Sequence, residues 1–275
     1  MNEEFSGWIG RSVTRKDVVT ARLLAAYRAT MVPWLFEPSE PGQCPPGLHW
    51  GLCPATPGYE DVGPDGAEAK GLFLPPIPLP RRMWAGGSIE TLRPIMVRQD
   101  VRRTSTISDI KFRQGSAGQL YVVSVMHEIA DGDLVMIRER QDLVFREGSP
   151  KTVPGSDAAK PAQGGGWIVE PSALMLFRFS AFTFNGHRIH YDASYAAEEG
   201  YPGLVVHGPL QAALMLNRIS EALGQVPLRF DYRCVAPLFS GKAFEVTHDR
   251  STMTTRIIRH DGVTTAEGQA HVQGT

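Results

Sequence analysis

Between Phe179 and Leu216 the chain bunches the side chains best suited to proton transfer. Asn185, His187, Arg188, His190, Tyr191 and Asp192 come first, in one short stretch. Val205-Val206-His207-Gly208-Pro209 follows and runs straight into an apolar segment. Histidine is the side chain whose ordinary titration lies near neutrality, so it can both take and give a proton. A helix opening at Gly208-Pro209 offers a backbone N–H at its N-terminus, which suits a developing oxyanion. A proton carrier beside an oxyanion donor is what chemistry on a thioester requires.

Each of these residues also has a plainer reading. One histidine in apolar surroundings is usually structural. His190, however, sits with Asn185, Arg188 and Asp192 ahead of a helix start, where catalytic groups on loops are common. Asn185 can hold a water by donating and accepting, or simply cap a turn. It cannot act as a base. His187 and His190 have the i, i+3 spacing of a metal pair, but no further ligand stands out, so a metal is not expected. Asp192 suits the N-cap of a following helix. Gly208 permits the turn before Pro209 and also lets a ligand approach the backbone closely. His207 is either a wall residue or a hydrogen-bonding partner in that turn. In the first half, Arg81-Arg82-Met83-Trp84-Ala85-Gly86-Gly87 offers arginines for phosphate and an indole for an adenine face; exposed loop arginines are the plainer alternative. Arg102-Arg103 and Tyr232-Arg233 are weaker candidates of the same kind.

The elements that must position these groups fall into two similar series. Asp17 is the expected N-cap of a helix from Val18 to about Met31, stopped by Pro33. The proline-dense stretch from Pro38 to Pro80 excludes regular helix and central strand. Strands are expected over 101–112, 119–129 and 134–146, with Asp131-Gly132 as a hairpin turn. Residues 147–166, rich in Pro, Gly, Ser and Ala, are the expected linker. In the second half a short helix opens at Asp192 or Ala193 and ends at Gly200. A second runs from Pro209 to Leu223, with Gly224 as its C-terminal stop. Strands are expected over 228–236, 243–247, 253–259 and 263–272. Each half therefore reads as helix first, antiparallel meander after. A helix apolar around most of its girth needs a sheet wrapped around it. The fold class is α+β, a double hotdog with halves 1–146 and 167–275.

Composition removes several function classes. The 275 residues are 42% hydrophobic and 21% charged, enough for a full core. A net charge of −1 argues against nucleic acid or an anionic membrane as partner. No apolar run approaches the length of a membrane span. Cys44, Cys53 and Cys234 form an odd set without C-x-x-C spacing, which suits a reduced, cytoplasmic setting. No dinucleotide fingerprint, phosphate loop or G-x-S-x-G elbow is present.

FSAFTFNGHRIHYD followed by GLVVHGPLQAALML resembles the MaoC-like hydratases and dehydratases. The likeness is to the branch of itaconyl-CoA and mesaconyl-C4-CoA hydratases and the mitochondrial hydroxyacyl-thioester dehydratase type 2. FLPPIPLPRRMWAGG and RQDLVFREG resemble the domain those proteins carry ahead of the motif. The wider family's motif is Asp-x-Asn-Pro-x-His. Its Asp falls on Asn185, its Asn-Pro on His187-Arg188, its His on His190, and the glycine of its His-Gly pair on Gly208. Asn in place of Asp removes one acid/base group. The resemblance implies reversible addition of water to a short branched dicarboxylic enoyl-CoA, itaconyl-CoA or mesaconyl-C4-CoA, giving citramalyl-CoA. His190 would handle the proton near an ordinary pKa of ~6.5, Asn185 would place the water, and the Gly208 N–H would hold the thioester oxygen. Arg81, Arg82 and Trp84 would meet CoA, and Arg188 the free carboxylate. No cofactor is implied, and monomer and homodimer both remain open. A fatty-acid-type 3-hydroxyacyl-thioester dehydratase, a hotdog thioesterase and an inert acyl-CoA-binding protein are the rival readings.

Overall fold

A computed structural model describes residues 4–115, 118–147 and 165–272. Among the described residues ten strands form one sheet in the order β1-β3-β4-β5-β2-β7-β10-β9-β8-β6. The first five by position are β1 (Ser12–Val18), β3 (Asp100–Gly115), β4 (Gly118–Asp131), β5 (Leu134–Arg146) and β2 (Arg81–Thr91). The other five are β7 (Arg229–Cys234), β10 (Thr264–His271), β9 (Thr254–Arg259), β8 (Phe244–Asp249) and β6 (Trp167–Val169). The strands before residue 147 thus occupy one side of the sheet and those after it the other. We propose that this seam, between β2 and β7, is also the boundary between two domains. The expected linker lies, over 148–164, outside the described residues.

Strand β4 follows from its sequence: YVVSVM is β-branched, and its side chains alternate between the buried and open faces. The helix α4 (Gly208–Leu223) is the core of the C-terminal side. Every residue from Pro209 to Asn217 is buried, and it packs on β8, β9, β10, β2 and β7. Pro209 fits its first turn, and Gly224 ends it at φ 72°. Asn217, fully buried on α4, accepts from the Phe36 N–H and donates to the Pro46 and Ala213 carbonyls. That hub ties α4 to the proline-rich segment and to Tyr27 of helix α1 (Ala21–Met31).

Several expectations need correction. Asp17 does not cap a helix. It lies in β1, and Asp17 Oδ2 accepts from the Cys53 N–H at 2.9 Å. The cap of α1 is Thr20, which accepts from Leu23 N–H. The Arg81–Gly87 segment is not a loop but strand β2, at the centre of the sheet. Its paired glycines serve the seam. A Cβ on Gly87 would strike the Arg140 carbonyl, and one on Gly86 the Tyr232 carbonyl, beside the bulge between Trp84 and Gly86. Helix α2 (Ala173–Thr183), with Ser172 as cap, was not expected from sequence at all. Among the described residues no helix is long and apolar enough to cross a membrane.

Candidate active site

The site is assembled by three short pieces of backbone. Helix α2 ends at Phe184 in the left-handed region, φ 52°, and Asn185 N–H closes the end on the Ser180 carbonyl at 2.8 Å. Asn185 Oδ1 then accepts from the His187 N–H at 3.0 Å. This side-chain turn redirects the chain into the single 3₁₀ turn Arg188–His190. Asp192 next caps helix α3 (Ala193–Glu198), accepting from the Tyr195 N–H. The loop near Asp65 clamps the turn from outside. Arg188 N–H donates to the Asp65 carbonyl, and Gly66 packs so tightly on Gly186 that neither has room for a Cβ.

These turns bury His190, leaving 6% of it exposed. Its Nδ1 lies 2.7 Å from the Val205 carbonyl, which can only accept, so Nδ1 carries the proton and Nε2 keeps its lone pair. The His207 ring stacks on His190 at 3.6 Å between centroids, and His187 meets it edge-on at 5.6 Å. His207 is fully buried, with Nε2 at 2.8 Å from Ser180 Oγ and Nδ1 enclosed without a partner among the described residues. Burial pushes the His190 pKa down to about 4. It lowers His187 and His207 well below the ordinary value too, each further depressed by neighbouring His190. The ordinary pKa expected for His190 is therefore corrected: all three rings are neutral at neutral pH.

His207 is the N-cap of α4, so Gly208 follows directly on the ring that stacks on His190. As the first residue of the helix, Gly208 has an N–H with no intrahelical partner. Glycine is required there for another reason. A Cβ would sit 2.9 Å from Cβ, Cγ and Cδ1 of Trp84, which reaches across the seam from β2. The Trp84 indole N–H donates to the buried Tyr232 hydroxyl at 3.2 Å.

Asn185, His187, His190, Gly208, Trp84 and Arg82 all line one cavity of about 1290 Å³. That exceeds the roughly 300–1,000 Å³ of common small-ligand pockets, so an acyl group and part of a longer carrier fit together. Exposed Phe177, Phe184 and Tyr191 stand on its lining.

The arginines fall differently from expectation. Arg188 does not line the cavity. The 3₁₀ turn aims it away, to Asp192 at 2.8 Å and the Tyr195 ring face, so it is not placed to meet a substrate carboxylate. Arg81 is held by Glu199 at 3.3 Å and also lies off the cavity. Arg82 does line it, but its guanidinium is tied to Asp65 at 2.9 Å. Ser180 is the polar partner that sequence reasoning did not single out for the site: it sits on a helix whose mostly apolar sequence gave no hint of a polar contact. Tyr232, offered with Arg233 as a weaker ligand candidate, instead accepts from the Trp84 indole.

Comparison with known proteins follows the same line. The family model for hydroxyacyl-thioester dehydratase type 2 matches residues 47–240. Mesaconyl-C(4)-CoA hydratase of Chloroflexus aurantiacus is 38% identical over 247 residues, covering 88% of each chain. The mitochondrial hydroxyacyl-thioester dehydratase type 2 of Schizosaccharomyces pombe is 25% identical over 73% of this chain and 76% of its own. Among solved structures, HtdX of Mycobacterium tuberculosis superposes with TM-score 0.68 at 16% identity, covering 95% of this chain and all of that one. A double-hotdog protein of the same organism superposes with TM-score 0.59 at 12% identity, over 94% of each chain. At such identities the structural likeness establishes the double hotdog fold alone.

Proposed function

Because the chain belongs to the hydroxyacyl-thioester dehydratase type 2 family, we propose that it hydrates a short branched dicarboxylic enoyl-CoA, mesaconyl-C4-CoA or itaconyl-CoA. The enzyme is a hydro-lyase acting on acyl-CoA thioesters. The thioester carbonyl oxygen accepts a hydrogen bond from the Gly208 N–H at the positive end of α4. Water sits between His190 Nε2, which accepts its proton, and the Asn185 amide N–H, which donates to its oxygen. As the new C–O bond forms at the β-carbon, the π electrons move toward the carbonyl and charge collects on the oxygen facing Gly208. The donor therefore acts mainly in the transition state. The imidazolium then returns its proton to the α-carbon, so one water is added and His190 is neutral again.

A histidine with pKa about 4 is a weak base and a strong acid. The second transfer is thus easy and the first is hard, which puts more of the barrier on the oxyanion donor. Asn185 keeps its carbonyl on the His187 N–H, so its amide N–H is the group left for water. It stands where the wider family has an acid, and it serves by position instead.

The observation that carries this reading is the buried His190–His207 stack leading directly into Gly208. The test is loss of enoyl-thioester absorbance across a panel of mesaconyl-C4-CoA, crotonyl-CoA and longer 2-enoyl-CoAs. Turnover greatest on mesaconyl-C4-CoA is expected; preference for the straight chains would overturn the substrate assignment. The cavity volume and its apolar lining by Leu120, Val125 and Leu143 favour a second reading, dehydration of straight-chain 3-hydroxyacyl thioesters. Release of free thiol in the same assay would point to a thioesterase.

A further inference from the structure

A second polar cluster lines the same cavity on the N-terminal side of the sheet, away from His190. Arg15 on β1 stands directly opposite Arg103 on β3, Ser105 on β3 opposite His127 on β4, and His127 opposite Glu139 on β5. Like charges directly across a strand pair are destabilising unless something balances them. Arg15 has Glu68 at 3.5 Å. Arg103 makes no ion pair or hydrogen bond through its guanidinium among the described residues, and its Nε is fully enclosed. His127 is 7% exposed. Its Nδ1 is bonded to Ser105 Oγ at 2.7 Å, while its Nε2 is buried with no hydrogen-bond partner among the described residues. A buried guanidinium donor without an acceptor at a cavity wall is costly to leave unsatisfied.

The nearby carboxyl groups, Glu139 and Asp17, make no direct bond to Arg103. Glu139 accepts from the Trp50 indole at 2.7 Å and lies 3.7 Å from His49. Burial pushes its pKa up to about 7, so near neutrality only part of the population carries the charge that would offset Arg103. His49 and His127 are both pushed down to about 3 by burial and by Arg103, and so are neutral. Asp17 also acts on Arg103, but its two oxygens accept from the Cys53 and Val18 N–H groups, so the Arg103 guanidinium keeps no direct acceptor at the cavity wall among the described residues, which is the geometry of an anion site.

We propose that Arg103, with Arg15 and His127 beside it, forms an anion subsite for a carboxylate or phosphate that the thioester carries at a distance from its reacting double bond. The proposal rests on the acyl-CoA reading above. The strand register places the cluster apart from Gly208. Trp84, which packs on Gly208, opposes Leu143 on β5, and Glu139 lies four residues further along that strand. His127 and Ser105 are one and two strands beyond. A CoA phosphate at the end of the pantetheine arm and a carboxylate at the end of a long acyl chain are both anions carried away from the reacting double bond.

Calorimetric titration with three stable thioethers separates these sources: S-octyl-CoA, S-(7-carboxyheptyl)-CoA and S-octylpantetheine, which lacks phosphates. If phosphate is the ligand, Arg103→Met weakens both CoA probes by about 10- to 100-fold and leaves octylpantetheine unchanged. If carboxylate is the ligand, only the carboxyheptyl probe weakens by that factor. Equal weakening of all three probes, or of none, would overturn the subsite. Should the Met variant fail to fold, Arg103→Lys keeps the charge without the fork and must still discriminate between the probes. Non-discrimination by a folded Lys variant overturns the proposal equally. Binding is read without turnover, so a lack of hydration would count against the hydratase reading alone.

Discussion

Replacing Gly208 by alanine separates the backbone donor from every side chain in the site. The added Cβ would lie 2.9 Å from Cβ, Cγ and Cδ1 of Trp84, where ordinary contact begins at 3.4 Å. About 0.5 Å of movement is needed, and Trp84 is poorly placed to give it. Its backbone is fixed in β2 between β5 and the seam, and its indole is tied to Tyr232 at 3.2 Å. The first turn of α4 must shift instead, carrying the Gly208 N–H with it. Overpacking of this kind costs about 1–3 kcal/mol of stability. Misplacing an oxyanion donor costs about 2.7–4 kcal/mol in the transition state, roughly a 10²–10³-fold loss in kcat. The assay is steady-state hydration of mesaconyl-C4-CoA, with thermal unfolding measured alongside. KM should change little, because the donor acts on charge that develops later. Trp84→Gly combined with Gly208→Ala should restore at least about tenfold of the lost kcat, because Cβ, Cγ and Cδ1 of Trp84 are all removed while the Gly208 N–H remains. A Gly208→Ala variant with near wild-type kcat would refute the oxyanion role.

The remaining predictions use the same enzyme. Because only neutral His190 can accept a proton and its pKa is lowered to about 4, kcat/KM should stay level down to about pH 5.5 and fall only toward pH 4; an acid limb centred near 6.5 would contradict the burial argument. Asn185→Asp places a carboxylate close to His190 and should move that limb upward in the same pH–rate profile, and an unmoved limb would show that the two side chains do not meet at one water. Asn217→Leu leaves the Phe36 N–H without its acceptor, while the Pro46 carbonyl keeps the Tyr27 hydroxyl, and should destabilise the fold by about 1–3 kcal/mol in denaturant titration, with little effect on KM. Thr20→Ala should cost about 1 kcal/mol through loss of the α1 cap, whereas Asp17→Ala should leave that cap intact.

Local signals read well from sequence where one residue decides the outcome. Gly208-Pro209, Gly224 and Asp192 each mark a helix end by their own backbone or side-chain chemistry, and each stands where expected. The hairpin turns at Gly132 and Gly262, with φ 55° and 83°, follow the same logic. Legibility failed where position depends on distant partners. Asp17 has the chemistry of a cap, but the Cys53 N–H takes its carboxylate and Thr20 supplies the cap. The run Arg81–Gly87 looks like a ligand loop because nothing local reveals that β7 pairs with it across the seam. Helix α2 was hidden by its mostly apolar sequence, which has no clear amphipathic period. In the candidate site, residue type and helix start pointed to His190 and Gly208, and both line the cavity. Burial of three histidines together was not, because stacking His207 on His190 needs the fold. The Arg188 placement failed for the same reason: its partner Asp192 is near in sequence, but the cavity lies on the other side of the turn.

The central claim is that His190 handles the proton in water addition to an enoyl thioester. Hydration of mesaconyl-C4-CoA by wild type and His190→Ala, at neutral pH and saturating substrate, tests it most directly. The expected result is turnover by the wild type and a loss of roughly 10²–10⁴-fold in the variant, the range of general acid–base catalysis. Near wild-type turnover by a folded His190→Ala enzyme would contradict the account.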